Sequence, residues 1–219
     1  MMKNISFLLV ILCCSCVEKS VDFLEPQPAN TKNIKQFSPE LMGIYESLEG
    51  DSKMEIQKTC IIESGNYDIK LSKAELDTSK EFILKDNILF STADNTQIAV
   101  QQRNDSVFGL VPWTDTAFLI SQSNLLRKLK GYYFLNEYTS DTVWKVVRMK
   151  LEDKVLLMAT MNKKKEADEI KKYTTLYYVA MNNDTITSYK LKPSKKEFKK
   201  MVDSKLLFTD QQKFIKVKP

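Results

Sequence analysis

Short runs of β-branched and aromatic residues, each broken by a polar turn, fill most of the chain after residue 50. They constrain its fold more than any other feature. Tyr67, Ile69 and Leu71 alternate with Asp68 and Lys70, the period-2 pattern of a strand buried on one face. Phe82-Ile83-Leu84 and Ile88-Leu89-Phe90 flank Lys85-Asp86-Asn87, and 97–101 and 106–111 flank Arg103-Asn104-Asp105. Both read as hairpins with short loops. Further strands are expected over 54–64 and 117–120, and over 143–151, where Val143, Val147 and Leu151 alternate with Trp144 and Val146. A hairpin over 173–181 and 184–191 turns at Asn182-Asn183, and 214–217 closes the chain. Asp followed by Ser or Thr recurs at Asp105-Ser106, Asp115-Thr116, Asp141-Thr142 and Asp184-Thr185. Asp caps a turn and a β-branched residue opens the next strand. The expected fold is therefore mainly β, an antiparallel meander of about ten to twelve strands.

Two short helices interrupt this pattern, near 163–172 and 195–205. The first, rich in Lys, Asp and Glu at i,i+4 spacing, has only Ala167 and Ile170 to bury and reads as a solvated connection. The second opens on the capping box Ser194-Lys195-Lys196-Glu197 and carries Phe198, Met201, Val202 and Leu206 along one stripe.

The chain begins MMKNISFLLVILCCSC: a cation at Lys3, an apolar run from Phe7 to Leu12, then small residues ending in cysteine. The run is too short for a membrane span of roughly 20 residues and has the layout of a secretory signal. It resembles the leaders of bacterial lipoproteins, in which a dedicated peptidase cuts before a cysteine that carries diacylglycerol. The resemblance implies lipidation at Cys16, preceded by the small Ser15. Cys14, with Ile11 three positions before it, is the alternative; at Cys13 the small-residue slot would hold Leu12. An ordinary cleaved signal is the other reading of the leader. Residues 1–15 would then be signal peptide, and 16–37, with two prolines and little periodicity, a lipidated tether. The expected site is the bacterial cell envelope, at the outer membrane.

Leu41-Met42-Gly43-Ile44-Tyr45 and Leu129-Lys130-Gly131-Tyr132-Tyr133 share the pattern Leu-x-Gly-x-Tyr. Each follows a stretch with the look of a helix start, Ser38-Pro39-Glu40 and Ser123-Asn124-Leu125. The echo suggests two tandem β halves, 38–128 and 129–219. The same motif resembles the Gly-x-aromatic entry of lipocalin-like barrels, which implies a cup for one apolar ligand. The body as a whole resembles small two-part envelope lipoproteins of Gram-negative bacteria, and no activity comes with that resemblance.

Composition narrows the chemistry. The chain has no histidine, which removes His-based nucleophile activation, His general bases and most zinc sites. Beyond the leader the one cysteine is Cys60, followed by two isoleucines and read as a buried thiol. The 33 basic and 28 acidic residues are interspersed, so nucleic acid is not an expected partner. Glu46, Glu49 and Asp51 could pair as glycosidase carboxylates but sit on an ordinary turn. The aromatic pieces Val111-Pro112-Trp113 and Tyr132-Tyr133-Phe134 could line a pocket, though such residues usually fill a β core. No catalytic residue, metal ligand or cofactor site is expected, and no ligand-binding residue stands out. The expected role is a non-enzymatic, lipid-anchored binding module. The alternatives are an immunity or inhibitor lipoprotein against an envelope toxin or hydrolase, and a lipocalin-like carrier of a small apolar ligand.

Overall fold

The computed structural model describes residues 20–93, 95–139, 142–161, 167–182, 185–204, 208 and 210–218. In chain order its elements are β1 (Ser20–Phe23), β2 (Gly43–Ser47), β3 (Lys53–Ile56), β4 (Cys60–Ser72), α1 (Lys73–Thr78), β5 (Phe82–Lys85) and β6 (Ile88–Ser91). There follow β7 (Gln97–Arg103), β8 (Ser106–Leu119), β9 (Asn124–Leu129), β10 (Tyr132–Tyr138), β11 (Trp144–Glu152) and β12 (Val155–Thr160). The chain ends with α2 (Ala167–Lys171), β13 (Leu176–Asn182), β14 (Thr185–Leu191), α3 (Lys195–Asp203) and β15 (Asp210–Lys218).

The fold is mainly β, as expected, and the described residues form fifteen strands rather than ten to twelve and three short helices rather than two. The strands run in the order β13-β14-β1-β11-β12-β15-β2-β3-β4-β8-β7-β6-β5, with β10 paired to β11 and β9 to β10. All pairs are antiparallel except β1 with β14. The path from β13 to β5 does not close into a barrel, so the lipocalin-like cup is not formed.

Turn chemistry builds the hairpins. Asp86 and Asn87 join β5 to β6 with φ of 51° and 63°, and Lys130 and Gly131 join β9 to β10 with φ of 53° and 79°. Positive φ at both central residues matches the right-handed twist of the flanking strands. The stretch from Asn124, expected to start a helix, is strand β9, because this tight turn sets it against β10 from Leu129↔Tyr132 to Asn124↔Glu137. The Gly of the other Leu-x-Gly-x-Tyr motif, Gly43, opens β2 instead of a turn, so the two motifs occupy different settings.

Strands 106–111 and 117–120 merge into β8, which pairs with β4 from Ser72↔Ser106 to Cys60↔Leu119. Pro112 is tolerated there because β7 stops pairing at Gly109, leaving β8 an open edge where a missing N–H goes unused. Helix α1, an addition to the two expected helices, opens on a capping box of Ser72 with Glu75. In α2 the ion pairs are Asp168–Lys171, at 3.3 Å, and Glu169–Lys172. Ile170 is fully buried, so this helix packs on the core and is more than a solvated connection. The expected segment 162–166 and Leu206 lie outside the described residues.

Three apolar clusters hold the sheet. Phe23, Phe134, Ile170, Tyr189, Phe198 and Met201 form the first, under α3. Phe37, Leu41, Tyr45, Ile56, Leu126 and Phe214 centre the second. Leu89, Ile98, Val100 and Val107 form the third, in an outer lobe made by β5–β7, α1 and the far ends of β4 and β8.

The largest departure from expectation is at residues 20–37, read as a tether. They belong to the folded body: Phe23, Gln27, Ala29 and Phe37 are buried. Asn136 of β10 holds them. Its Oδ1 accepts the Gln27 N–H, and its Nδ2 donates to Gln27 O at 2.8 Å, Phe134 O at 3.1 Å and Leu125 O at 3.2 Å. Arg127 of β9 donates to the carbonyls of Pro26 and Pro28, and to Asn33 Oδ1 at 2.8 Å. Desolvation pulls the Arg127 pKa down, and three acceptors compensate for the buried charge. Apolar patterning does not report such pairings, since they join residues about a hundred positions apart.

Asn136→Leu leaves the Gln27 amide and carbonyl unpaired in the interior. It should cost about 2–4 kcal/mol in urea unfolding, and a loss below about 0.5 kcal/mol would contradict the staple. A second expectation concerns pH. Burial pushes the Tyr45 phenol, which donates to Leu41 O at 2.7 Å, up to about 12. Its contribution is full below the ordinary value of 10.0 and is lost as the pH rises toward about 12. Wild-type stability should therefore fall across that window, and Tyr45→Phe should flatten the fall. An equally steep fall in the variant would contradict the assignment.

Candidate functional site

The outer lobe offers a candidate recognition surface. Alternation along β4, β7 and β8 divides their side chains between two faces. Ile69, Leu71, Val107, Val111, Ile98 and Val100 pack inward with Leu76, Phe82, Leu84 and Leu89. Gly109 makes room for this layer, since a Cβ there would stand 2.8 Å from Val100 Cγ1. The opposite face carries Asp68, Lys70, Ala99, Gln101, Phe108 and Leu110, which line an open groove of about 630 Å³. Leu110 is 55% exposed, and the Lys70 ammonium stands 5.6 Å from the Phe108 ring centroid. An apolar floor with one charge of each sign beside it suits a macromolecular surface.

A second cluster gathers Ser38, Glu40, Lys128 and Tyr133. The Ser38 and Tyr133 hydroxyls share a hydrogen bond at 2.9 Å, and Lys128 Nζ donates to the Tyr133 hydroxyl at 3.0 Å. Glu40 Oε1 stands 3.1 Å from Ser38 Oγ and 3.3 Å from Tyr133 Oη, so it accepts from whichever hydroxyl is not donating to the other. Serine, tyrosine and lysine together can support proton transfer when the lysine is neutral. Here the hydrogen bond to Tyr133 raises the Lys128 pKa, so the amine keeps its proton and is no base. The cluster instead fastens the 38–40 turn to β9 and β10. Sequence reasoning missed it because Ser38-Pro39-Glu40 reads as a helix start and its partners lie about ninety residues away.

Of the sequence-level candidates, Glu46 and Asp51 line one open pocket of about 330 Å³ in the β2–β3 turn, but Lys53 lines it too and pairs with Glu46 at 2.9 Å, while Glu49 is exposed outside its lining. Trp113 lies across Gly65, where a Cβ would meet its Nε1 at 3.0 Å. Tyr133 and Phe134 are core, and Tyr132 is half-buried with the Arg148 guanidinium 5.0 Å from its ring centroid. Cys60 is half-buried and its thiol donates to Gln57 Oε1 at 3.3 Å. Cys13, Cys14 and Cys16 lie outside the described residues. Among the described residues no group of His, Cys, Asp and Glu could hold a metal ion, and no helix is long and apolar enough to cross a membrane.

Comparison with known proteins finds no matching family, no curated relative and no similar solved structure.

Proposed function

We propose that this chain is a non-enzymatic binding module of the bacterial cell envelope, anchored by lipid at Cys16 and offering the open face of β4, β7 and β8 to a protein partner. The leader supports the anchor, and the outer membrane is the proposed site. The observation that carries the binding role is an exposed Leu110 beside a half-buried Phe108 on a face whose reverse is packed core. The groove is open, with Asp68 and Lys70 at its sides, which fits a protein surface better than an enclosed small ligand. Long paired strands hold it rigidly, from Ser72↔Ser106 to Cys60↔Leu119. An immunity or inhibitor role is the form of this reading in which the partner is an envelope toxin or hydrolase. Rigid presentation lowers the ordering cost of such binding.

Two measurements test the proposal. Growth with a labelled fatty acid should label the wild-type chain and not Cys16→Ala. Unchanged labelling would move the site to Cys14 or dismiss the anchor. A photo-crosslinker placed at Leu110 in living cells should give one discrete adduct with an envelope protein. The same probe at Leu48, exposed in the β2–β3 turn, should not. No adduct at Leu110, or the same adducts at both positions, would contradict the binding face.

A further inference from the structure

The folding of residues 20–37 changes what the anchor can do. A tether over 16–37 would leave some twenty residues of slack after Cys16, but Ser20 is already part of the folded body. Four Cα steps separate the two positions, a span of at most about 14 Å when fully extended. An anchored chain therefore cannot stand clear of its bilayer. Part of the body close to Ser20 has to lie against the headgroups.

What surrounds Ser20 is well defined. β1 runs parallel to β14, with Ser20 opposite Ser188 and Phe23 opposite Leu191. β14 leads through three residues into α3. The Phe23 ring meets the Phe198 ring of α3 edge-on, with centroids 5.9 Å apart. The strand leading from the anchor and the helix α3 thus form one packed unit.

The two faces of α3 differ sharply. Phe198, Met201 and Val202 are buried. Lys195, Lys196, Lys199 and Lys200 are exposed, and Lys192 is exposed just before the helix. The acidic groups on this element are already engaged. The Glu197 carboxylate accepts the Ser194 N–H at 2.7 Å to close the capping box, and Asp203 pairs with Lys130 at 2.6 Å. The outer lobe has the opposite balance, with five basic and seven acidic residues over 67–111.

We propose that the lysine face of α3 docks on anionic lipid headgroups of the bilayer that holds the anchor. The inference rests on lipidation at Cys16, which supplies proximity, while the lysines supply orientation. Each lysine near an anionic surface contributes about 1 kcal/mol, or about fivefold, and the effect fades within a Debye length of about 8 Å.

The test uses the mature lipidated chain, its lipid confirmed by intact mass. The chain is reconstituted into vesicles of phosphatidylglycerol with phosphatidylethanolamine, into phosphatidylcholine vesicles, or into detergent micelles. A membrane-impermeant amine reagent is applied and each lysine is read by peptide mass spectrometry. Lys195, Lys196, Lys199 and Lys200 should label at least about fivefold more slowly on the anionic vesicles than in detergent. Lys73, Lys80 and Lys85 of the outer lobe should label at the same rate in both. Equal α3 labelling on anionic vesicles and in detergent, with the chain still bound, would overturn the docking face and leave the anchor standing. Equal protection on phosphatidylcholine would overturn recognition of negative charge. A chain that fails to float with either kind of vesicle would remove the anchor, and the docking proposal with it.

Discussion

Asn136 is a buried amide on a central strand, and the form of the segment 20–37 depends on it. It satisfies both backbone groups of Gln27, which is itself fully buried. Arg127, two strand positions away across the β9–β10 pair, closes over the carbonyls of Pro26 and Pro28. A buried segment without regular secondary structure must find a partner for each polar backbone group. These two side chains supply several of them. Fully satisfied polar networks of this kind specify one arrangement, because each alternative leaves a desolvated group unpaired.

The staple carries consequences along the chain. With Gln27 held on β10, β1 reaches β14 and Phe23 enters the cluster beneath α3. On the other side Ile34 bridges Leu126 of β9, and Phe37 enters the second cluster. The segment thereby links the two largest cores. The outer lobe is joined to them through β4 and β8, whose shared pairing runs unbroken apart from one shift between Ile61 and Ile62. Its own cluster covers one side of the β4-β8-β7 strands and leaves the other to solvent. That asymmetry creates the candidate recognition surface.

Much of the sheet was legible in the sequence because its signals are local. Period-2 alternation locates β11, and the Asp-Asn pair at 86–87 sets the β5–β6 hairpin within about a residue. The Ser194-Glu197 capping box announces α3 and its buried stripe. What was not legible depends on distant partners. Strand β1 is four residues long and lies in a proline-containing stretch, and its pairing with β14 spans about 170 positions. The helix-like start at Ser123-Asn124 is overruled by the Lys130-Gly131 turn and by the demand that Arg127 and Leu126 face opposite ways. Only the alternation of Asp68 and Lys70 with Ile69 and Leu71 hinted at the candidate groove. That pattern announces a polar face without saying that Phe108 and Leu110 share it.

The central claim is that the stretch from Ser20 to Phe37 belongs to the folded body. Amide hydrogen exchange on the full chain tests this most directly. The Leu24 amide donates to Leu191 O at 2.8 Å, Ile34 to Leu126 O at 2.7 Å and Phe37 to Lys58 O at 2.9 Å, while the Gln27 amide bonds Asn136. The account predicts protection of these four amides comparable to that of β10 and β11. Exchange of residues 20–37 at the rate of an open chain, with the rest of the sheet protected, would contradict it.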